Sequence, residues 1–206
     1  MPHTIAYANT SKATFYNAAA PTTNYGTSNV QLLSLDGSSN PATNCIMAFT
    51  TPALATSVKI TEALLRFRIL AGPWSPGGMT LDVRRCTRTN WVESWITGST
   101  WNDWSAGTGA WTTGGGDYAT DAEDLQANVP QSTTGTYVLG DVRNIVQYCV
   151  RNALASIDLL LVGNNASTAF ESMQWASDDH LIYSPPQLQI SYTHPPLISI
   201  PTGVRL

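Results

Sequence analysis

Of 206 residues only 12% are charged, about half the share of an average soluble protein, and Ser, Thr, Asn and Gly fill the polar positions. Ten basic against fourteen acidic side chains leave a net charge of -4, with lysine only at Lys12 and Lys59 and no basic stripe, which argues against tracking a nucleic-acid backbone. No stretch approaches the ~18 continuous apolar residues that span a bilayer, and the N-terminus MPHTIAYANTSKATFY has neither the charged nor the apolar region of an export signal. Length and the initial Met1 read as one complete domain with a sizeable core.

In chain order, Ile5 to Tyr16 holds two short alternations, IAYA and ATFY, and breaks at the turn-rich Ala20 to Gly26. Val30 to Leu35 and Cys45 to Phe49 read as a hairpin across Asp36 to Pro41. The stretch that sets the character of the chain is Val58 to Leu70. There Ala63, Leu65, Phe67 and Ile69 alternate with Glu62, Arg66 and Arg68 at the period of two that marks a half-buried strand. Ala71 to Gly78 is a Pro-Gly loop carrying Trp74, and Met79 to Arg85 resumes alternation as the expected hairpin partner.

Asn90 to Tyr118 concentrates five of the seven tryptophans, Trp91, Trp95, Trp101, Trp104 and Trp111, among Gly, Ser and Thr. Thr136 to Leu139 is a short strand. Asp141 to Val150 is the one convincing helix, with Val142, Ile145, Val146, Cys149 and Val150 on a single face, Asp141 as N-cap and Asn152 as stop. Ile157 to Val162, Ala169 to Met173 and Gln187 to Tyr192 follow as strands. Pro195, Pro196 and Pro201 end the sheet and leave 194–206 as an extended tail after a single domain over 1–193. Ten short strands with one short helix predict an all-β fold, an antiparallel β-sandwich of jelly-roll type. Cys45, Cys86 and Cys149 show no ligand spacing and read as buried thiols.

A run of motifs in fixed order, Asn24-Tyr25-Gly26, Phe49, Ala63-Leu64-Leu65, Trp91-Val92-Glu93-Ser94, Thr100-Trp101-Asn102, Gly115-Gly116-Asp117-Tyr118, Asp141-Val142, Val146-Gln147, Leu159 to Leu161, Phe170-Glu171-Ser172 and Pro186 to Tyr192, resembles the DNRLRE-type domain over about residues 4 to 193. That family includes carbohydrate-binding modules. The resemblance implies a jelly-roll sandwich that binds glycans through one surface and often rides on secreted polysaccharide-degrading enzymes. This chain is poor in lysine and is expected to depart from the family pattern in having no export signal and no catalytic partner domain.

Trp95, Trp104 and Trp111, with Trp74, are candidates for a sugar-stacking platform, while Trp91 and Trp101 read as packing. Arg66 and Arg68, with Arg84 and Arg85 on the next strand, could grip carboxylates of an acidic glycan or of a partner protein. Pairing with Glu62 and Asp82 is the plainer alternative. Asp117, Asp121, Glu123 and Asp124 form an acidic loop that could donate oxygens to Ca²⁺, although a solvated loop is the plainer reading; no other cofactor is expected. His180, beside Asp178 and Asp179, reads as a solvated loop histidine. The apolar tail, through Leu197, Ile198, Ile200, Val204 and Leu206, is expected to dock on capsid protein or sibling subunits.

No nucleophile elbow, zincin helix or P-loop is present, so no enzyme is expected. The reading is a virion structural protein, such as a bacteriophage capsid decoration or accessory protein, made in the host cytoplasm and displayed on the particle. It would stand as a homo-oligomer or as part of a larger assembly, with glycan binding as an aid to adhesion. The alternative is an extracellular carbohydrate-binding module that recognises a polysaccharide.

Overall fold

The computed structural model describes residues 4–35, 41–71, 79–94, 96–105, 107–120, 125–129, 135, 137–164 and 171–195. Among them run β1 (Thr4–Asn17), β2 (Val30–Leu35), β3 (Pro41–Thr50), β4 (Lys59–Ala71), β5 (Met79–Arg85), β6 (Asp103–Ser105), β7 (Gly109–Ala110), β8 (Leu125–Val129), β9 (Tyr137–Asp141), α1 (Arg143–Arg151), β10 (Ser156–Asn164), β11 (Glu171–Ala176) and β12 (Gln187–Thr193).

These strands pair antiparallel throughout, as the alternating patterns predict. The pairings close a ring in the order β1-β12-β4-β11-β2-β3, shut by a second pairing of β1 with β3. From β3 the sheet continues through β10, β5 and β8, and β9 attaches to β4. Two long strands make the closure. β1 gives Thr4–Asn9 to β12 and Thr10–Asn17 to β3, with a bulge between Thr10 and Lys12 where it changes partner. β4 pairs with β12 and β9 along most of its length and meets β11 only at Ile69 and Ala71.

The expected hairpin of β4 with β5 does not form. Both sides of β4 are taken by β12 and β9, and β5 lies instead between β10 and β8. By contrast β2 and β3 do pair across their turn, Ser34 opposite Thr43.

The alternation of β4 reads out directly. Ala63, Leu65, Phe67 and Ile69 are buried against Leu188, Ile190 and Tyr192 of β12, and Arg66 is exposed. Burying each large apolar side chain of this kind is worth about 1.5–3 kcal/mol. Ile145, Val146, Cys149 and Val150 of α1 press into the same core. The helix begins one turn position later than expected, with Val142 at the cap and no side-chain bond there. Asp141 still serves that end, because its Oδ1 accepts the N–H of Arg143 at 3.0 Å and of Ala63 at 3.3 Å.

β3 and β10 differ from β4 in being buried on both faces. Cys45, Met47, Phe49, Ile157, Leu159 and Leu161 face the main core, while Ile46, Ala48 and Leu160 join a second cluster with Tyr16, Cys86, Trp91 and Trp111. A strand covered on both sides carries little polar alternation, which accounts for the IDLLLV run, whose one acid, Asp158, is buried and bonded to Trp91. Cys45, Cys86 and Cys149 are buried free thiols. No helix of the described residues is long and apolar enough to cross a membrane.

Candidate functional site

The tryptophan segment is built as a lid over the outer faces of β1, β3 and β10. Trp91 is buried and its indole Nε1 donates to Asp158 Oδ1 at 2.6 Å, fixing the loop to β10. Lys12 of β1 lies 4.0 Å over the Trp91 ring and donates to the carbonyls of Trp91 at 2.8 Å and Thr89 at 3.3 Å. Tyr16 donates to Ser99 Oγ at 3.0 Å, and the Trp111 Nε1 donates to the Thr100 carbonyl at 2.9 Å. Trp111 is therefore a packing residue; only 6% of it is exposed, and a sugar has no ring face to stack on. Gly114 lies against Trp101 and Gly109 against Trp104, so close that a Cβ at either would collide with the indole, while a Cβ at Gly115 would meet Asn44 Nδ2.

Of the expected platform, Trp104 is half-buried and meets the rim of an open hollow through Arg88. Arg88 sits 5.1 Å over its ring and 3.8 Å from Asp117 Oδ2, while Asp117 Oδ1 accepts the Thr113 N–H at 3.0 Å. Thr87, Arg88, Thr113, Asp117, Tyr118 and Thr120 line a hollow of about 420 Å³, and Arg84 packs 4.9 Å over the Tyr118 ring. Hydroxyls, one guanidinium, one carboxylate and an aromatic ring at a shallow hollow are the groups that hydrogen-bond and stack on a sugar. A larger hollow of about 820 Å³ lies where β4 meets α1, with Lys59, Arg143 and Arg151 around it, an arrangement suited to an anionic ligand.

A third constellation joins the loop after Trp91 to the β11–β12 connection. Carboxylate oxygens of Glu93, Asp178 and Asp179 lie within 4.8 Å of one another, a spacing at which they could share a hard cation. Burial pushes Glu93 up to about 8, and Asp178 and Asp179 add to the rise, while the Ala13 N–H, donating to Oε1 at 2.8 Å, and the Lys12 ammonium hold it back. Asp178 is pushed up to about 6, again chiefly by burial, and its Oδ1 is buried without a hydrogen-bond partner. Burial lowers Lys12 and raises Asp158 in the same neighbourhood.

No protein-family model matches the chain, and no curated protein matches its sequence.

The arginines expected to stand side by side are separated. Arg66 and Arg68 belong to β4, whereas Arg84 and Arg85 belong to β5, which β4 does not touch as a pairing partner. Arg66 borders a small hollow with Asn9, Ser184, Pro185 and Gln187, and Arg68 lies 4.2 Å over the Tyr183 ring. Arg84 pairs with Asp82 of its own strand at 3.3 Å, and Arg85 lies 4.0 Å over Tyr148 of α1. His180 Nδ1 accepts the N–H groups of Ile182 and Tyr183, both at 3.1 Å, so it shapes a turn. Trp74, Trp95, Asp121, Glu123, Asp124, Leu197, Ile198, Ile200, Val204 and Leu206 lie outside the described residues, and of the expected calcium loop the structure describes Asp117 alone, held by Arg88.

Sequence reasoning missed Arg88 and Tyr118 as groove residues, and it did not join Glu93 to Asp178. The second miss has a plain cause: the two carboxylates are far apart in the chain and meet only where the loop after Trp91, held to β1 by the Ala13 N–H on Glu93, reaches the β11–β12 connection.

Proposed function

We propose that this chain is a non-enzymatic virion structural protein, a capsid decoration or accessory module made in the host cytoplasm and displayed on the particle. The order of its motifs and the way β1 and β4 each serve two sheets support a jelly-roll sandwich of the DNRLRE type. The observation that carries the reading is how the chemistry-bearing side chains are used. Lys12, Trp91, Asp158, Tyr16 and Asn44 spend their polar atoms tying the tryptophan lid to the sheet, giving β3 and β10 a cover on both faces. Such a double-covered sheet suits a rigid exterior module that works through its surface. Mass spectrometry of purified particles, from a host carrying the gene in its native context, should find the chain in fixed ratio to the major capsid protein. Its absence from intact particles would refute the assignment.

The hollow of Arg88, Asp117 and Tyr118 beside Trp104 favours a second reading, a carbohydrate-binding module that recognises a polysaccharide. Affinity electrophoresis against a panel of polysaccharides tests it. Retardation by one of them that is lost in Arg88→Ala supports it, and mobility unchanged in every gel removes it.

A further inference from the structure

The first half of β1 is a sheet edge. Thr4 to Asn9 pairs with β12 on one side, and β3 joins β1 only from Thr10 onward, beyond which the bulge redirects the strand. Thr10 N–H donates to the Pro186 carbonyl at 3.1 Å, so in the alternation of an antiparallel ladder Thr4, Ala6, Ala8 and Thr10 bond toward β12. Ile5, Tyr7 and Asn9 then aim their backbone N–H and C=O groups away from the sheet, where no described residue bonds to them.

Native edges are commonly guarded by charge, proline or a bulge. The segment TIAYAN carries none of these. Its outward side chains are also among the most exposed large apolar groups described, Ile5 at 51% and Tyr7 at 59%.

We infer that this edge is a docking surface for a second copy of the same chain, β1 against β1 in antiparallel pairing about a two-fold axis near Tyr7. The occupant follows from self-complementarity. Every free group on the edge occurs as both donor and acceptor at alternate residues, so an identical strand run in reverse matches it, Ile5 facing Asn9 and Tyr7 facing Tyr7 of its mate. A two-fold contact sets like charges opposite each other, and this stretch has none to repel. The pairing would turn the layer of β9, β4, β12 and β1 into one continuous antiparallel sheet across both copies. It does not depend on the virion assignment and stands or falls separately.

An edge of six residues buries less than a standard interface, so the dimer belongs at about 10–200 µM chain rather than at nanomolar concentration. Sedimentation of the full chain over that range should show a monomer–dimer equilibrium. Tyr7→Lys, and as a second exposed variant Ile5→Lys, should weaken it at least tenfold. Leu181→Lys, on a loop residue that is 94% exposed, should leave it unchanged. Hydrogen exchange at the amides of Ile5, Tyr7 and Asn9 should slow as concentration rises, while Ala6 and Ala8 stay slow throughout. A chain monomeric at the top of the range, a dimer indifferent to both lysine variants, or equal protection of the three amides on dilution, as when the chain's own tail covers the edge, would each overturn the inference.

Discussion

Replacing Glu93 by Gln keeps the shape of the side chain and an oxygen to accept the Ala13 N–H, now 2.8 Å from Oε1, while removing the ionisable group. The folded carboxyl holds its proton up to about pH 8, whereas the unfolded one releases it near the ordinary value of 4.5. Between those values the folded state binds more protons, so the contribution of Glu93 to stability is fully present below pH 4.5 and is lost as pH rises through 8. At about 1.4 kcal/mol per pH unit the interval bounds the loss at about 5 kcal/mol, and partial solvent exposure of Glu93 screens this to about 1–2 kcal/mol. Asp178, raised to about 6, acts in the same direction at lower pH; Lys12 opposes the rise at Glu93. Urea unfolding of both proteins at intervals from pH 5 to pH 9 should show Glu93→Gln gaining on the parent by that amount, most of it above pH 6, with the denaturant slope unchanged. Parallel stability curves would refute the reasoning, because the carboxyl would then feel the same environment folded and unfolded.

Other substitutions probe the frame that holds this site. Ala153 ends α1 at a φ of 50°, with its N–H on the Val150 carbonyl at 3.1 Å and the Leu154 N–H on Cys149 at 3.0 Å, the Schellman pattern that favours glycine, so Ala153→Gly should add about 0.5–1 kcal/mol, seen as a rise of a few degrees in Tm. Trp91→Phe leaves the buried Asp158 without its indole donor and should cost about 2–3 kcal/mol; an unfolding midpoint within error of the parent would show the bond idle. Cys86, pushed up to about 12 by burial, and the buried Cys45 and Cys149 should resist a thiol-specific disulfide reagent at pH 8 in the native state and react fully in urea, which a spectrophotometric count of released chromophore checks.

What could be read in the sequence was local. The period of β4, the amphipathic face of α1 and the pattern of β12 needed only residues next to each other, and each element stands within a residue or two of its expected bounds. The hairpin of β4 with β5 failed because adjacency in sequence says nothing about which edges of β4 are already filled. IAYA and ATFY looked like two fragments because a bulged strand that changes partner from β12 to β3 breaks its alternation at Ser11 and Lys12, although the backbone runs on unbroken.

The tryptophan segment marks the boundary between what was legible and what was not. IDLLLV and NCIMAF lack polar alternation, and a strand of that kind needs cover on both faces. One face goes to the core shared with β4. The other needs an apolar layer, and the richest irregular apolar stretch in the chain is Asn90 to Tyr118. Reading those two patterns together leads to a packing role for Trp91 and Trp111, where their bonds to Asp158 and Thr100 place them. It leaves the rim of the lid, where Trp104 meets Arg88 and Asp117, as the part with a surface to offer. Composition alone could not divide the tryptophans this way, because a stacking platform and a second core draw on the same residue type; the strands beneath them decide it.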